Sequence, residues 1–303
     1  MSLRRFIRAA ALCLCAFLIA LPARAEEVKI KLKPSGLTAN ALLDLAQGKT
    51  LKDGVILIVH GTAAHNDMDM LKNLREILVG RGHSTLAINL TLGIDDRHGM
   101  FDCRTPNGHR QMEALDEIGQ WLDWLKSQGA GPVVLLGHSR GGNQAARFVA
   151  EKGHPLLTRL VLVAPATWDE KKAAEGYQRQ HGRPLAPDLA EAQALVKAGK
   201  GGTVMPKQGI LYCPTAIVTA TTFVSYHGAD PRGDTPSIVG EIKLPTLVLA
   251  GSNDTVVPDL PQKMKDKADG KRLRFKMVDG ADHFFLDLYG EDIADAVEKF
   301  LAD

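Results

Sequence analysis

Apolar residues along the chain follow two alternating rhythms. Val28, Ile30 and Leu32 alternate with lysines, the period-two signature of a half-exposed edge strand. Val55-Ile-Leu-Ile-Val59 is instead an unbroken, largely β-branched run, as expected of a strand covered on both faces. Val133 to Leu136, Leu160 to Val163 and Thr246 to Leu249 share that character, while Ser84 to Asn89 and Arg272 to Val278 read as less buried strands. Between them, Met68, Leu71, Leu74, Ile77 and Leu78 fall on one helical face, closed by Gly80. Met112, Leu115, Ile118, Leu122 and Leu125 repeat the pattern up to Gly129, and a last helix beginning near Asp287 carries Ile293, Val297 and Leu301. Strands alternating with such helices predict an α/β fold with a mainly parallel sheet covered on both faces.

The rhythm lapses once. About 75 residues separate Pro165 from Glu241 before the next buried strand. The first half (Lys171 to Lys200) is polar and helix-prone, and Gly199, Gly201 and Gly202 punctuate its end. The second half (Ile210 to Tyr226) is apolar and rich in Thr, Ala and Val. A structureless loop of that length is rare in a compact domain, so 166–240 reads as a cap inserted over the strand ends rather than a long crossover. Residues 26–165 and 241–303 then form the core. The apolar cap residues Ile210, Leu211, Ile217, Val218, Phe223 and Val224 would face a pocket for a small to medium apolar acyl group.

The first residues follow a different logic. Arg4, Arg5 and Arg8 precede an apolar run from Ala9 to Leu21, and Pro22 leads into Ala23-Arg24-Ala25. A basic start, a short apolar stretch and a small-x-small site make 1–25 a secretory signal peptide cleaved before Glu26, by the general rather than the twin-arginine route. The apolar run is too short to serve as a membrane anchor. Losing four arginines and no acid takes the formal charge from +2 to −2, so the chain has no long-range pull toward nucleic acid or anionic lipid. Basic residues do not interleave with aromatics either, which argues against nucleic acid as a partner. Of four cysteines, Cys103 and Cys213 survive cleavage. Export permits a disulfide between them, but spacing alone does not decide it.

The sharpest chemical signal is Gly137-His138-Ser139-Arg140-Gly141, placed after a buried strand and before a helix-compatible stretch (Asn143 to Glu151). Glycines two before and two after the serine permit a very tight strand-to-helix turn with Ser139 exposed at its tip. The helix N-terminus beneath favours developing negative charge. A serine hydroxyl needs a base and an orienting acid. Among ten histidines, His283 stands between the last strand and the last helix. Asp254, in Gly251-Ser-Asn-Asp254, follows another central strand, and Asp169 is the competing acid. His60-Gly61-Thr62 follows the first buried strand, so the Thr62 amide, or that of Ala63, can join the Arg140 amide in an oxyanion hole. His60 and His138, at strand ends, read as structural hydrogen-bonding groups.

Together these residues resemble the α/β-hydrolase fold superfamily across nearly all of 26–303: His-Gly after the third strand, Gly-x-Ser-x-Gly after the fifth, Gly-x-x-Asp after the seventh and His after the eighth. The resemblance implies an eight-stranded, mostly parallel sheet flanked by helices, a cap between strands six and seven, and acyl transfer without a cofactor. The stretch after His60-Gly61 lacks the Gly-Gly of hormone-sensitive-lipase-type members.

The remaining motifs are weaker. The loop from Gly93 to His109 holds Asp95, Asp96, Arg97, His98, Asp102 and His109 in no metal-ligand spacing, so it reads as solvated or substrate-facing. No phosphate-binding or dinucleotide fingerprint is present. The sequence thus points to an exported serine hydrolase acting on small-molecule esters. Its triad would be Ser139, Asp254 and His283, with Thr62 and Arg140 at the oxyanion. A peptidase or amidase with the same triad, and a non-catalytic binding protein on the same scaffold, are the competing readings.

Overall fold

The computed structural model describes residues 25–303, so the expected signal peptide lies, but for Ala25, outside the described residues. The strands are β1 (Glu26–Lys31), β2 (Thr38–Asp44), β3 (Val55–Val59), β4 (Thr85–Asn89), β5 (Val133–His138), β6 (Leu157–Val163), β7 (Val204–Ile210), β8 (Cys213–Thr219), β9 (Thr246–Gly251) and β10 (Leu273–Val278). The helices are α1 (Asp69–Gly80), α2 (Ala114–Ser127), α3 (Arg140–Glu151), α4 (Glu170–His181), α5 (Leu185–Lys197), α6 (Ala220–His227), α7 (Thr235–Ile238), α8 (Leu260–Met264) and α9 (Tyr289–Ala302). Eight strands form one sheet in the order β1-β2-β4-β3-β5-β6-β9-β10, in which only β2 breaks the parallel run by pairing antiparallel with β1 and β4. The chain steps one way from β3 to β4 and the other way from β4 through β5 to β6. Right-handed crossovers therefore place α1 on the face opposite α2 and α3.

The apolar runs become the sheet's centre. Leu57, Ile58, Val59, Leu135, Leu136 and Val161 have no exposed surface. Strand β4 is buried along its whole length, against the expectation of a less buried strand. It lies inside the sheet between β2 and β3, and the polar residues that suggested exposure are satisfied internally. The Asn89 amide, for example, donates to the Arg97 carbonyl and accepts from its guanidinium. Strand β2 (Thr-Ala-Asn-Ala-Leu-Leu-Asp) is not legible from periodicity, because neither alternation nor a long apolar run marks it.

Parallel register brings the functional turns to one edge. Val59 lies opposite Gly137, His138 opposite Val163, Val163 opposite Leu249, and Gly251 opposite Val278. The residues following β3, β5, β6, β9 and β10 therefore emerge side by side at the carboxyl edge of the sheet, where open α/β sheets bind ligands.

The insertion between β6 and β9 holds α4, α5, the antiparallel hairpin β7–β8, α6 and α7. The hairpin is fastened to the segment before α2. Asn107 exchanges backbone hydrogen bonds with Ile217 and Thr219, the Tyr212 hydroxyl donates to the Phe101 carbonyl, and Cys103 is disulfide-bonded to Cys213. Among the described residues no helix is long and apolar enough to cross a membrane.

The Gly93–His109 segment, expected to be solvated or substrate-facing, is only partly solvated. Arg97 and His109 are buried, because the strand ends and the cap close over them. The Arg97 guanidinium donates to the carbonyls of Leu90, Gly99 and Ala64 and to Asn89 Oδ1, and approaches His60 Nε2 at 3.2 Å. Asp96 and His98 do stay near solvent, where they converge with Glu27, but Lys29 already pairs with both Glu27 (2.9 Å) and Asp96 (2.6 Å). Burial lowers His60, His109 and His227 to about 3 and His138 to about 4, keeping all four imidazoles neutral. Burial pushes Glu117 up to about 7, although hydrogen bonds from the Thr91 hydroxyl and amide oppose the rise.

Two stability experiments follow from this architecture. Replacing both Cys103 and Cys213 by serine removes a crosslink spanning 110 residues. It is expected to cost about 2–5 kcal/mol, read as a lower denaturant midpoint under non-reducing conditions. The buried histidines would take up protons on unfolding below their unfolded value near 6.5, so their contribution is lost as pH falls from there toward 4. Glu117 acts oppositely: its contribution is full below its ordinary 4.5 and is lost as pH rises through 7. Four imidazoles outweigh one carboxyl, so the urea midpoint should be lower at pH 5 than at pH 7.5. An equal or higher midpoint at pH 5 would show that these histidines titrate freely in the fold.

Candidate active site

Ser139 sits where β5 meets α3, with φ 55° and ψ −122°, a backbone conformation an L-residue seldom adopts. Close packing enforces it. A Cβ on Gly137 would strike the carbonyl of Gly141, and one on Gly141 would strike the carbonyl of His60. The Ser139 amide donates to Val163 O (2.9 Å), and its carbonyl accepts from Ala166 N (2.9 Å). The turn is thereby pinned to β6 while its hydroxyl faces the site. That hydroxyl lies 2.9 Å from Nε2 of His283, whose Nδ1 lies 2.8 Å from Oδ2 of Asp254. The three expected side chains thus form one continuous hydrogen-bonded row.

The partners of Asp254 fix the proton positions along this row. Its Oδ1 accepts from the amides of Val256 (2.7 Å) and Val257 (2.9 Å), leaving Oδ2 to accept from His283 Nδ1–H. Nε2 is then the lone-pair nitrogen facing the serine hydroxyl. Burial works to raise the Asp254 carboxyl, but the hydrogen bonds from His283, Val257 and Val256 outweigh it and hold the group below its ordinary range. The loops carrying acid and base are stitched together: Ser252 N donates to Val278 O, Asn253 N to Ala281 O, and the Asn253 side-chain amide to Gly280 O. The competing acid, Asp169, is spent elsewhere, capping α4 by accepting from the Lys172 amide (2.9 Å).

The two strand-end histidines serve as struts. His138 Nε2–H donates to the His283 carbonyl (2.9 Å), fixing the backbone that carries the imidazole. His60 Nδ1–H donates to the Gly61 carbonyl (2.8 Å), while Nε2 accepts from Leu90 N–H (3.0 Å). Through its bond to the Ala64 carbonyl, Arg97 also braces the 60–64 turn. Gly61 passes so close to Ser139 that a Cβ there would lie 3.3 Å from the Ser139 Cβ. Thr62 follows Gly61 in this turn and Arg140 follows Ser139, and the amide of neither donates to an acceptor among the described residues. Ala63, the alternative donor, takes a positive φ of 51° in the same turn.

Cap and core meet beside this row. Gln111 donates from its backbone and side-chain amides to Ser225, and its carbonyl accepts from Gln144 (2.7 Å). Tyr226 donates its hydroxyl to His109 Nε2 (2.7 Å), and burial pushes that phenol up to about 12. Of the expected apolar cap residues, Ile210, Leu211 and Val218 line a small enclosed cavity with Ala63 and Tyr226. Phe223 instead packs on Tyr177 and His227, and Ile217 is exposed. A second cleft of about 70 Å³, lined by Arg140, Gln111, Ala166, Trp168, Tyr226 and Asp230, opens beside the nucleophilic turn. Wider clefts of about 450 and 730 Å³ lie away from these residues, at the amino-terminal ends of the strands and against α2. Sequence reading did not single out Gln111 or Tyr226, and it took Arg97 for a loop charge. Gln111 and Tyr226 act through contacts between cap and core, and Arg97 through its convergence with His60, Ala64, Asn89 and Leu90.

Residues 56–296 match the model of the Alpha/beta hydrolase family. The phospholipase YtpA of Bacillus subtilis (strain 168) is 29% identical over 113 residues, 37% of this chain, and the match spans 40% of that enzyme's length. The chain is also similar to the structure of Est1E from Butyrivibrio proteoclasticus with ferulic acid bound (TM-score 0.64, 18% identity, 91% of this chain and 98% of that one). The esterase Pf2001 of Pyrococcus furiosus gives a TM-score of 0.59 at 15% identity, covering 92% of this chain and 90% of that one. The matched span includes Ser139, Asp254 and His283 and most of the eight-stranded sheet, and the chain belongs to the α/β hydrolase family.

Proposed function

We propose that this chain is an exported serine hydrolase that cleaves carboxylic esters through an acyl-enzyme. The observation that carries the reading is the unbroken row Ser139–His283–Asp254, with 2.9 and 2.8 Å links and the serine on a strained turn. Ser139 Oγ attacks the ester carbonyl as His283 Nε2 takes its proton. Asp254 holds the imidazole in the Nδ1–H tautomer and stabilises the imidazolium that forms. The carbonyl oxygen, now an alkoxide, receives hydrogen bonds from the Thr62 and Arg140 amides at the N-terminus of α3. When the tetrahedral adduct collapses, His283 returns the proton to the departing alcohol. Water then repeats the sequence on the acyl-enzyme and frees the acid.

An ester, rather than an amide, is favoured by the compact cleft of about 70 Å³ beside Arg140, which suits a small acyl or alcohol group better than a peptide backbone. Two of the similar proteins, a phospholipase and an esterase by name, point the same way. Export is supported by the signal-like residues 1–25 and by the Cys103–Cys213 disulfide, a bond that persists in oxidising compartments.

Ser139→Ala should abolish labelling by a fluorophosphonate and lower kcat for p-nitrophenyl butyrate by on the order of 10⁶-fold. Asp254→Asn should keep the labelling site but lower kcat by about 10⁴-fold, through the wrong imidazole tautomer. Labelling that persists in Ser139→Ala would move the nucleophile elsewhere and end this reading.

A further inference from the structure

The side chain of Arg140 stands out among the charged groups near the site. Its Nε donates to Thr62 Oγ1 (3.0 Å) and its Nη1 to Gln111 Oε1, while the guanidinium lies over the Tyr226 ring, 5.2 Å from the centroid. These contacts fix the plane and direction of the group. They also use only two of its five N–H donors, and Nη2 has no acceptor among the described residues. Asp230, which lines the same cleft, acts on the guanidinium only at a distance, and the acids around it are paired with other cations. Asp230 pairs with Arg147 (2.9 Å), Asp234 with Lys263 (2.6 Å), and Asp259 with Lys172 (3.0 Å) and Lys263 (3.2 Å). Arg140 makes no ion pair among the described residues, although it is partly buried.

A partly buried guanidinium without a counter-ion is costly unless something else supplies the charge. The other largely sequestered arginine, Arg97, meets that cost with four oxygen acceptors of the protein. Arg140 instead borders a solvent-reachable cleft of about 70 Å³, one residue from the nucleophile. A planar, pre-oriented fork with free N–H groups matches a carboxylate, which can accept two of them in parallel.

We propose that the Arg140 guanidinium, held by Thr62, Gln111 and Tyr226, is a carboxylate-binding subsite that selects esters bearing an anionic group within reach of Ser139. This deepens the ester-hydrolase reading and rests on it. The subsite also explains why the cleft at the nucleophile is walled by polar residues and not by the cap's apolar face.

Two matched ester pairs test it and separate the acyl side from the alcohol side. The first is p-nitrophenyl butyrate against mono-p-nitrophenyl glutarate, which differ only by a carboxylate on the acyl chain. The second is phenyl butyrate against 4-carboxyphenyl butyrate, which differ only on the alcohol. The protein should favour the anionic member of at least one pair by about 10- to 100-fold in kcat/KM, mainly through KM. Arg140→Met should erase that ratio, and Arg140→Lys should recover part of it. Gln111→Ala, which frees the guanidinium from one anchor, should reduce it while leaving the charge in place. Titration calorimetry of glutarate and of 4-hydroxybenzoate with Ser139→Ala gives a readout that needs no turnover. Binding of one of them, lost when Arg140→Met is added, supports the subsite even if none of the four esters is cleaved, in which case the ester reading alone fails. Equal kcat/KM within both pairs, a preference that survives Arg140→Met, or absence of carboxylate binding by Ser139→Ala overturns the proposal.

Discussion

The site is organised by the close approach of the turn after β5 to the turn after β3. Gly141 lies directly against the His60 carbonyl, and Gly137 against the Gly141 carbonyl, with no room for a Cβ at either place. That contact holds Ser139 at positive φ with its hydroxyl toward His283, and it keeps Gly61, the neighbour of Thr62, against Ser139, the neighbour of Arg140. The strain is affordable because the flanking strands are among the most deeply buried in the molecule, and because β6 holds the Ser139 amide. Parallel register then supplies the base and the acid from the neighbouring strand ends without further adjustment.

Around this turn, buried polar groups are mostly paired, although the Nδ1 of His138 has no partner among the described residues. His138 holds the base loop, while His60 and Arg97 brace the oxyanion-side turn. Asn107 joins the cap hairpin to the core, and Gln111 joins α6 to α3. Neutral buried imidazoles suit this work: each is rigid and offers one donor and one acceptor, with no charge to compensate. Arg140 is the exception, since its charge is oriented by the protein and left for something outside the protein to meet.

Much of this architecture is legible in the chain. The unbroken apolar runs mark the central strands, and the glycine spacing around Ser139 marks the tight turn, because both patterns report local sterics and burial. The edge-strand alternation from Val28 to Leu32 is equally plain. Strand β2 and the burial of β4 are not, because their polar residues are satisfied by partners far away in sequence, such as the Arg97 carbonyl for Asn40 and Asp44 for Thr85. The Gly93–His109 segment is the clearest failure. Its charges look solvated in one dimension, but a guanidinium can be buried when five oxygen and nitrogen partners converge from separate elements.

The class of fold, the positions of Ser139, Asp254 and His283 after successive strands, and a long insertion before β9 can all be read from the chain. These depend on periodicity, glycine placement and element order, all of which are written locally. Folding alone selects Asp254 over Asp169 as the partner of His283, joins Cys103 to Cys213, and turns the cap's apolar residues partly into its own packing. It alone leaves Arg140 uncompensated at the cleft. Each of those outcomes depends on distances of a few ångströms between residues tens of positions apart or more, and linear spacing carries no information about such distances.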